Sequence, residues 1–265
     1  MTKLAAYVEG VGLVGPGFAD WPSSRCVLSG QQLYRPQKTM IPVPELLPAA
    51  ERRRSSDITK LSLAVMLEAI AAAKLDPKTL PSVFTSSSGD GNNCHAINET
   101  LASDDRDISP TRFHNSVHNA AAGYCGIATG AMTPSSVLCA HDASFGAGLL
   151  EAMAQVTVDK TCCVLVAGDT SYPEPMNTVR TIYDAVGAAL VLAPKPSTQS
   201  IARIEIFITN DDATRLEDNV LEALRLSVPA ARGLPLLHAL ASDVPAKVVL
   251  DYLGSTRLLV EVTPC

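Results

Sequence analysis

Residues 137–144 read VLCAHDAS. An apolar run ends at Cys139, a small-residue helix opens near Ser144, and Ala140-His141-Asp142-Ala143 is left as the connection. A tight strand-to-helix turn of this kind is what displays the nucleophile in many acyl-transfer enzymes. Cys139 has the reactive side chain, but its place on the strand predicts a buried structural thiol. The rival assignment is an active acyl-transfer enzyme using Cys139, with His141 or His118 as its base. Asp142 stands at the helix N-terminus, where capping of backbone N–H groups stabilises a carboxylate by up to about 1–2 kcal/mol. Ser144 is a weaker nucleophile candidate, since the sequence offers it no identifiable His-Asp pair.

The flanking elements follow from periodicity. Residues 5–15, AAYVEGVGLVG, read as a strand entering a Gly-Pro-Gly turn. The Pro-rich segment to about residue 50 predicts a long loop with at most a short helix, anchored by Trp21. Ile58, Leu61, Val65 and Ile70 recur at helical spacing, capped by Ser55, Ser56 or Asp57. A strand and Ser/Gly loop (VFTSSSG) and a helix (NCHAINETLAS) come next. The small-residue segment from Asn115, NSVHNAAAGYCGIATGA, predicts a helix packed closely on another helix. Strands are expected at SSVLCA, TCCVLVAGD, DAVGAALVLAP and IARIEIFITN, with a helix over SFGAGLLEAMAQVTV. The C-terminal part predicts helices over residues 215–226 and 234–241 and a closing strand, TRLLVEVTP. This alternation implies an α/β fold with a layered sheet. No linker divides the 265 residues, so one domain is expected over 1–265.

Composition narrows the function. Hydrophobic residues are 47% and charged residues 18%, consistent with strands buried on both faces and with an apolar surface covered by a partner. The net charge of -6 argues against nucleic acid. Arg52-Arg53-Arg54 reads as a solvated helix start, not a phosphate site. The seven cysteines lack metal-ligand spacing, and Cys94-His95 has no second pair, so no metal or cofactor is expected. At least one of Cys162 and Cys163 should be a small buried hydrophobe. No signal peptide or apolar run of spanning length is evident, so a cytoplasmic protein with reduced thiols and no membrane insertion is expected.

Taken in order, these motifs resemble the N-terminal half of a β-ketoacyl synthase of the thiolase-like fold. The resemblance runs over about residues 1–206, through VEGVGLVGPG, VFTSSSGDG, ISPTRFHNSVHNAAAGYCGIATGAMTPSSV, LVAGDTS and VGAALVLAP. It implies a shortened C-terminal half, 207–265, that completes the sheet. By this resemblance the synthase cysteine's position falls on Asp142, and a carboxylate cannot carry the acyl group as a thioester. The family's two C-terminal histidines have no counterpart. After Ile206 only His238 remains, within the apolar LPLLHALA, as a core or interface residue.

The resemblance therefore implies a non-catalytic chain-length factor. The relevant type is the short subunit found in aryl polyene biosynthesis, which pairs with a full-length ketosynthase as a heterodimer and meets an acyl carrier protein through that partner. It places the partner interface at Asn119, Ala122, Gly123, Ile127, Ser136, Val137, Leu138 and Cys139. It places the wall of an acyl tunnel at Phe113, Arg112, His118, Ile97 and Leu101. Arg112 has a second expected place, holding a carboxylate at the tunnel rim. A homodimeric thiolase-like binding module is the other alternative.

Overall fold

The structure, a computed structural model, describes residues 4–265. One mixed sheet organises the chain. Its strands are β1 (Leu4–Val14), β2 (Ser82–Thr85), β3 (Ser135–Leu138), β4 (Cys163–Asp169), β5 (Val186–Ala193), β6 (Ala202–Thr209), β7 (Ala246–Asp251) and β8 (Arg257–Pro264), in the spatial order β3-β2-β4-β5-β1-β6-β8-β7. β2 runs parallel to both β3 and β4, and the other pairings are antiparallel. Every residue of β4 and β5 is buried, as their unbroken apolar runs require of strands covered on both faces.

The helices are α1 (Trp21–Leu28), α2 (Ala49–Arg54), α3 (Asp57–Ala73), α4 (Gly91–Ala102), α5 (Pro110–His114), α6 (Ala120–Thr129), α7 (Ser144–Asp159), α8 (Met176–Val179), α9 (Asn219–Ser227) and α10 (Leu234–Ala241). Side chains alternate along the central strands into two cores. Leu165, Leu190 and Val11 meet Leu149 and Met153 of α7 and Leu237 of α10 on one face. Val164, Val166 and Val191 meet Leu61, Val65 and Ala69 of α3 and Tyr124 of α6 on the other.

The glycines of VEGVG explain the closeness of α3. A Cβ at Gly12 would stand 2.1 Å from the Val65 carbonyl oxygen, and one at Gly10 2.1 Å from that of Ala69. The strand can therefore lie directly against the helix backbone.

Four expectations need correction here. The Arg52-Arg53-Arg54 run ends a helix, α2, where its charges complement the helix dipole, and does not start one. The helix expected over residues 215–226 begins later, at Asn219, because Asp218 caps it with bonds to Val220 and Leu221 N–H. β7 is an additional strand that pairs with β8. Ser56 is the N-cap of α3 but makes no side-chain cap bond, its hydroxyl lying instead 3.4 Å from Thr59 Oγ1. Trp21 is buried as expected, and its N–H donates to Glu68.

Candidate functional site

β3 and α7 are joined by one 3₁₀ turn, His141–Ala143. His141 has φ of 53°, in the left-handed region that non-glycine residues seldom occupy. The turn is closed by Ser144, whose Oγ accepts from Ala140 N–H (3.1 Å) and donates to the His141 carbonyl (2.7 Å). Its hydroxyl is thereby committed, and at 1% exposure it is not presented to any substrate.

Asp142 does not cap α7. The N-cap position falls on Ala143, and no side chain caps that helix. Asp142 lies one residue too early to reach the first helical N–H groups. Its Oδ1 instead accepts from Arg180 Nη2 at 2.5 Å, while Oδ2 lies 3.5 Å from His141 Nδ1 and 4.0 Å from Arg232 Nη2. Arg232 also donates to Asp251 at 3.0 Å, a carboxylate shared with Arg225 and Arg257. Gly146 lets this assembly close over α7, since its Cβ would stand 2.3 Å from the Asp251 carbonyl oxygen. The tip of the turn thus carries a carboxylate whose oxygens face cations contributed by two other segments.

Cys139 is exposed, against the expectation of a buried thiol, because β3 is an edge strand with β2 on one side only. Its Sγ lies 2.9 Å from the Ser87 carbonyl oxygen. His238 is exposed on α10 and is not a core residue. Cys163 is buried as expected, and burial pushes its thiol up to about 12, with Cys125 raised for the same reason. Such thiols stay protonated and inert.

Sequence reading missed a buried carboxylate next to the turn. Asp169, 1% exposed at the end of β4, accepts from Ser86 Oγ, from Ser87 N–H and Oγ, and from Ala230 N–H. The Ser-Ser pair after β2 is the only cue to it in the sequence. Burial raises the Asp169 pKa against these four donors. A carboxyl whose folded pKa exceeds its unfolded one stabilises fully while protonated and loses that contribution as pH rises through the folded value. Stability should therefore fall with rising pH above the ordinary Asp range. Asp169→Asn should flatten that slope in urea titrations at a series of pH values. An unchanged slope would assign it to another group.

The residues expected at a partner interface divide by the strand's alternation. Asn119, Ala122, Gly123 and Ile127 of the α6 region and Val137 of β3 line one groove of about 500 Å³. Ser136 and Leu138 face the other way. Ser136 Oγ accepts from Gln155 of α7 at 3.2 Å, and Leu138 packs on the α7-side core. Ile127 and Met132 beside the groove are 53% and 96% exposed. The expected close helix packing does not explain Gly123, because a Cβ there would meet nothing within 4 Å.

The expected tunnel residues are not brought together. His118 borders a narrow cavity with Phe84, Val137 and Gly168. Arg112 lines a polar groove that adjoins this cavity through Ser56, Ile58, Asp90 and Asn115. Phe113 and Leu101 are 67% and 45% exposed, and Ile97 is half-buried on α4. Among the described residues no group of three His, Cys, Asp or Glu side chains could hold a metal ion, and no helix is long and apolar enough to cross a membrane.

A family model described as the β-ketoacyl synthase N-terminal domain matches residues 28–249. The chain belongs to the β-ketoacyl synthase family. Among curated proteins, none matches this family member in sequence. Solved ketosynthase complexes share its fold. A chain of the Xenorhabdus doucetiae ketosynthase ApeO in complex with its chain length factor ApeC is 19% identical with a TM-score of 0.74, over 97% of this chain and 99% of that one. A chain of the ishigamide ketosynthase/chain length factor is 12% identical at 0.73, over 98% and 99%. A chain of AntDE:AntF, an acyl-carrier protein in complex with its ketosynthase, is 11% identical at 0.73, over the whole of both chains. This synthase-family chain therefore has the thiolase-like α/β fold at a length of 265 residues.

Proposed function

We propose that this chain is the non-catalytic, chain-length-factor subunit of a ketosynthase heterodimer and shapes the acyl tunnel during polyene or polyketide elongation on an acyl carrier protein. The supporting observation is Asp142. At the turn that, by resemblance, corresponds to the family's nucleophile turn stands a carboxylate that Arg180 holds and Arg232 faces. A carboxylate so engaged offers no thiolate for acyl transfer.

The surface supports the same reading. Among the described residues the outer edge of β3 has no strand beside it, and an apolar groove adjoins it. An unpaired edge next to exposed apolar residues is the arrangement that strand addition by a partner would satisfy. The aryl polyene class rests on resemblance to the short subunits described above, and the carrier protein is reached through the ketosynthase.

Co-expression with a candidate ketosynthase should yield a 1:1 complex, and the isolated chain should not become labelled by an acyl thioester. Asp142→Ala should leave turnover by the pair within about threefold and change stability by less than about 1 kcal/mol, since the Asp142 side chain is 47% exposed. Acylation of the isolated chain at a competent rate would instead favour the active-enzyme alternative at Cys139. A self-associated chain that ignores ketosynthases would favour the homodimeric binding module.

A further inference from the structure

The Pro-rich segment between α1 and α2 stands outside the site just described. Residues 33–44 adopt no helix or strand, yet they are fixed at several points. The Gln37 carbonyl accepts from Gly17 N–H at 2.9 Å. Thr39 N–H donates to Asp184 Oδ2 at 3.0 Å, and its hydroxyl donates to the Ala185 carbonyl at 2.8 Å. Leu47, 1% exposed, closes a turn by donating its N–H to the Pro44 carbonyl at 3.1 Å. Between these anchors Pro42 and Pro44 restrict φ. The segment is thus a stiff strap with little chain entropy left to lose on docking.

Its outer side is apolar. Met40 and Val43 are 83% and 67% exposed although they lie within the pinned stretch. Beside them runs a groove of about 730 Å³, with Val43 and Leu46 of the strap on one wall and Leu63 and Leu67 of α3 on the other. Exposed apolar side chains next to an apolar groove mark an interaction surface.

The order of residues 38–45, Lys-Thr-Met-Ile-Pro-Val-Pro-Glu, indicates what covers it. About a point between Ile41 and Pro42 the stretch is self-complementary. Lys38 stands opposite Glu45, buried Thr39 opposite buried Pro44, and exposed Met40 opposite exposed Val43. Lys38 and Glu45 have no ion pair among the described residues. Two such straps laid antiparallel across a two-fold axis oppose unlike charges at both ends and bring the apolar residues together, as an isologous contact requires. A backbone ladder is not the means, since Pro42 and Pro44 have no N–H.

We propose that this strap is a self-association surface, and that its occupant is the strap of a second copy of this chain. Met40 of each copy enters the other's groove beside Val43, where an unbranched thioether side chain adapts to irregular space. Lys38 of each copy pairs with Glu45 of the other. The strap is anchored near the end of β1 and the start of β5, strands that lie four and three places from β3 in the sheet. The β3 edge therefore stays open to a ketosynthase, and two heterodimers can join through this subunit. The contact goes beyond the ketosynthase-partner reading and does not depend on it.

The test is sedimentation equilibrium of the purified chain over a concentration series. A reversible dimer is expected. Met40→Asp should weaken it at least tenfold by placing a charge in the apolar contact, with an unchanged melting midpoint, since position 40 faces solvent in the single chain. Lys38→Glu and Glu45→Lys should each weaken it by about three- to tenfold, because like charges then stand opposite each other, and the double reversal should restore it to within about twofold. A monomeric mass at every concentration up to the solubility limit, or a dimer that Met40→Asp leaves intact, would overturn the proposal. A double reversal no better than the single ones would do the same. Gly123→Leu should leave this dimer unchanged, and a dimer lost with Gly123→Leu but kept with Met40→Asp belongs to α6 instead. Complex formation between the Met40→Asp chain and a ketosynthase is read separately by gel filtration, so either idea can fail while the other stands.

Discussion

Gly123→Leu should leave the isolated chain at least as stable as the parent and yet weaken its complex with a ketosynthase by about ten- to a hundredfold. Glycine inside a helix is destabilising by about 1 kcal/mol relative to good helix formers, and none of the described residues lies within 4 Å of a Cβ at Gly123. Its replacement should therefore raise the melting midpoint. If a partner helix lies against that backbone, an inserted side chain overpacks the contact by about 1–3 kcal/mol, which is one to two decades in affinity. Thermal melts of the isolated subunit and an affinity measurement on the pair give the two readings. A variant that binds its partner as tightly as the parent would remove α6 from the interface.

Gly12→Ala should have the opposite character, acting on the isolated chain alone. The new methyl would overlap backbone of α3, the Val65 carbonyl oxygen at 2.1 Å and its carbon at 2.9 Å, and backbone has no alternative rotamer to adopt. Separating α3 from β1 would open the core beneath Leu61 and Val65, both fully buried. A loss of about 3 kcal/mol is expected, which for a chain of this size lowers the melting midpoint by roughly 6–12 °C. Gly15→Ala is the control, since its Cβ would meet only ordinary side-chain contacts from 3.4 Å outward. Equal urea midpoints for Gly12→Ala and Gly15→Ala would show that α3 does not press on β1.

Much of this architecture is legible from local pattern. β4 and β5 announce themselves because strands covered on both faces must be apolar without interruption, and α3 because its stripe recurs at helical spacing. β7 is not legible. Ala246–Asp251 is short, carries charged residues at its second and last positions, and is a strand paired with β8 alone. The turn before α7 was placed correctly by its small residues and its flanks, whereas the partners of Asp142 were not. Arg180 lies 38 positions along the chain and Arg232 further still, and no local spacing links them to a carboxylate. Asp169 is hidden for the same reason, as its donors come from two segments distant in sequence. The glycines of α6 predict a close helix contact, but a sequence does not say which face of a small-residue helix is covered or by which chain.

The two rims of the sheet differ in a way that bears on stoichiometry. At β7, Thr214 folds back on the strand: its N–H donates to the Val249 carbonyl at 2.9 Å and its hydroxyl accepts from Val249 N–H at 2.8 Å. Lys247 projects from the same strand with its side chain 70% exposed, and a lysine on an edge discourages further pairing. If β3 receives a ketosynthase strand as proposed, the guarded β7 rim offers no second site of the same kind, and growth by strand addition should end at a dimer.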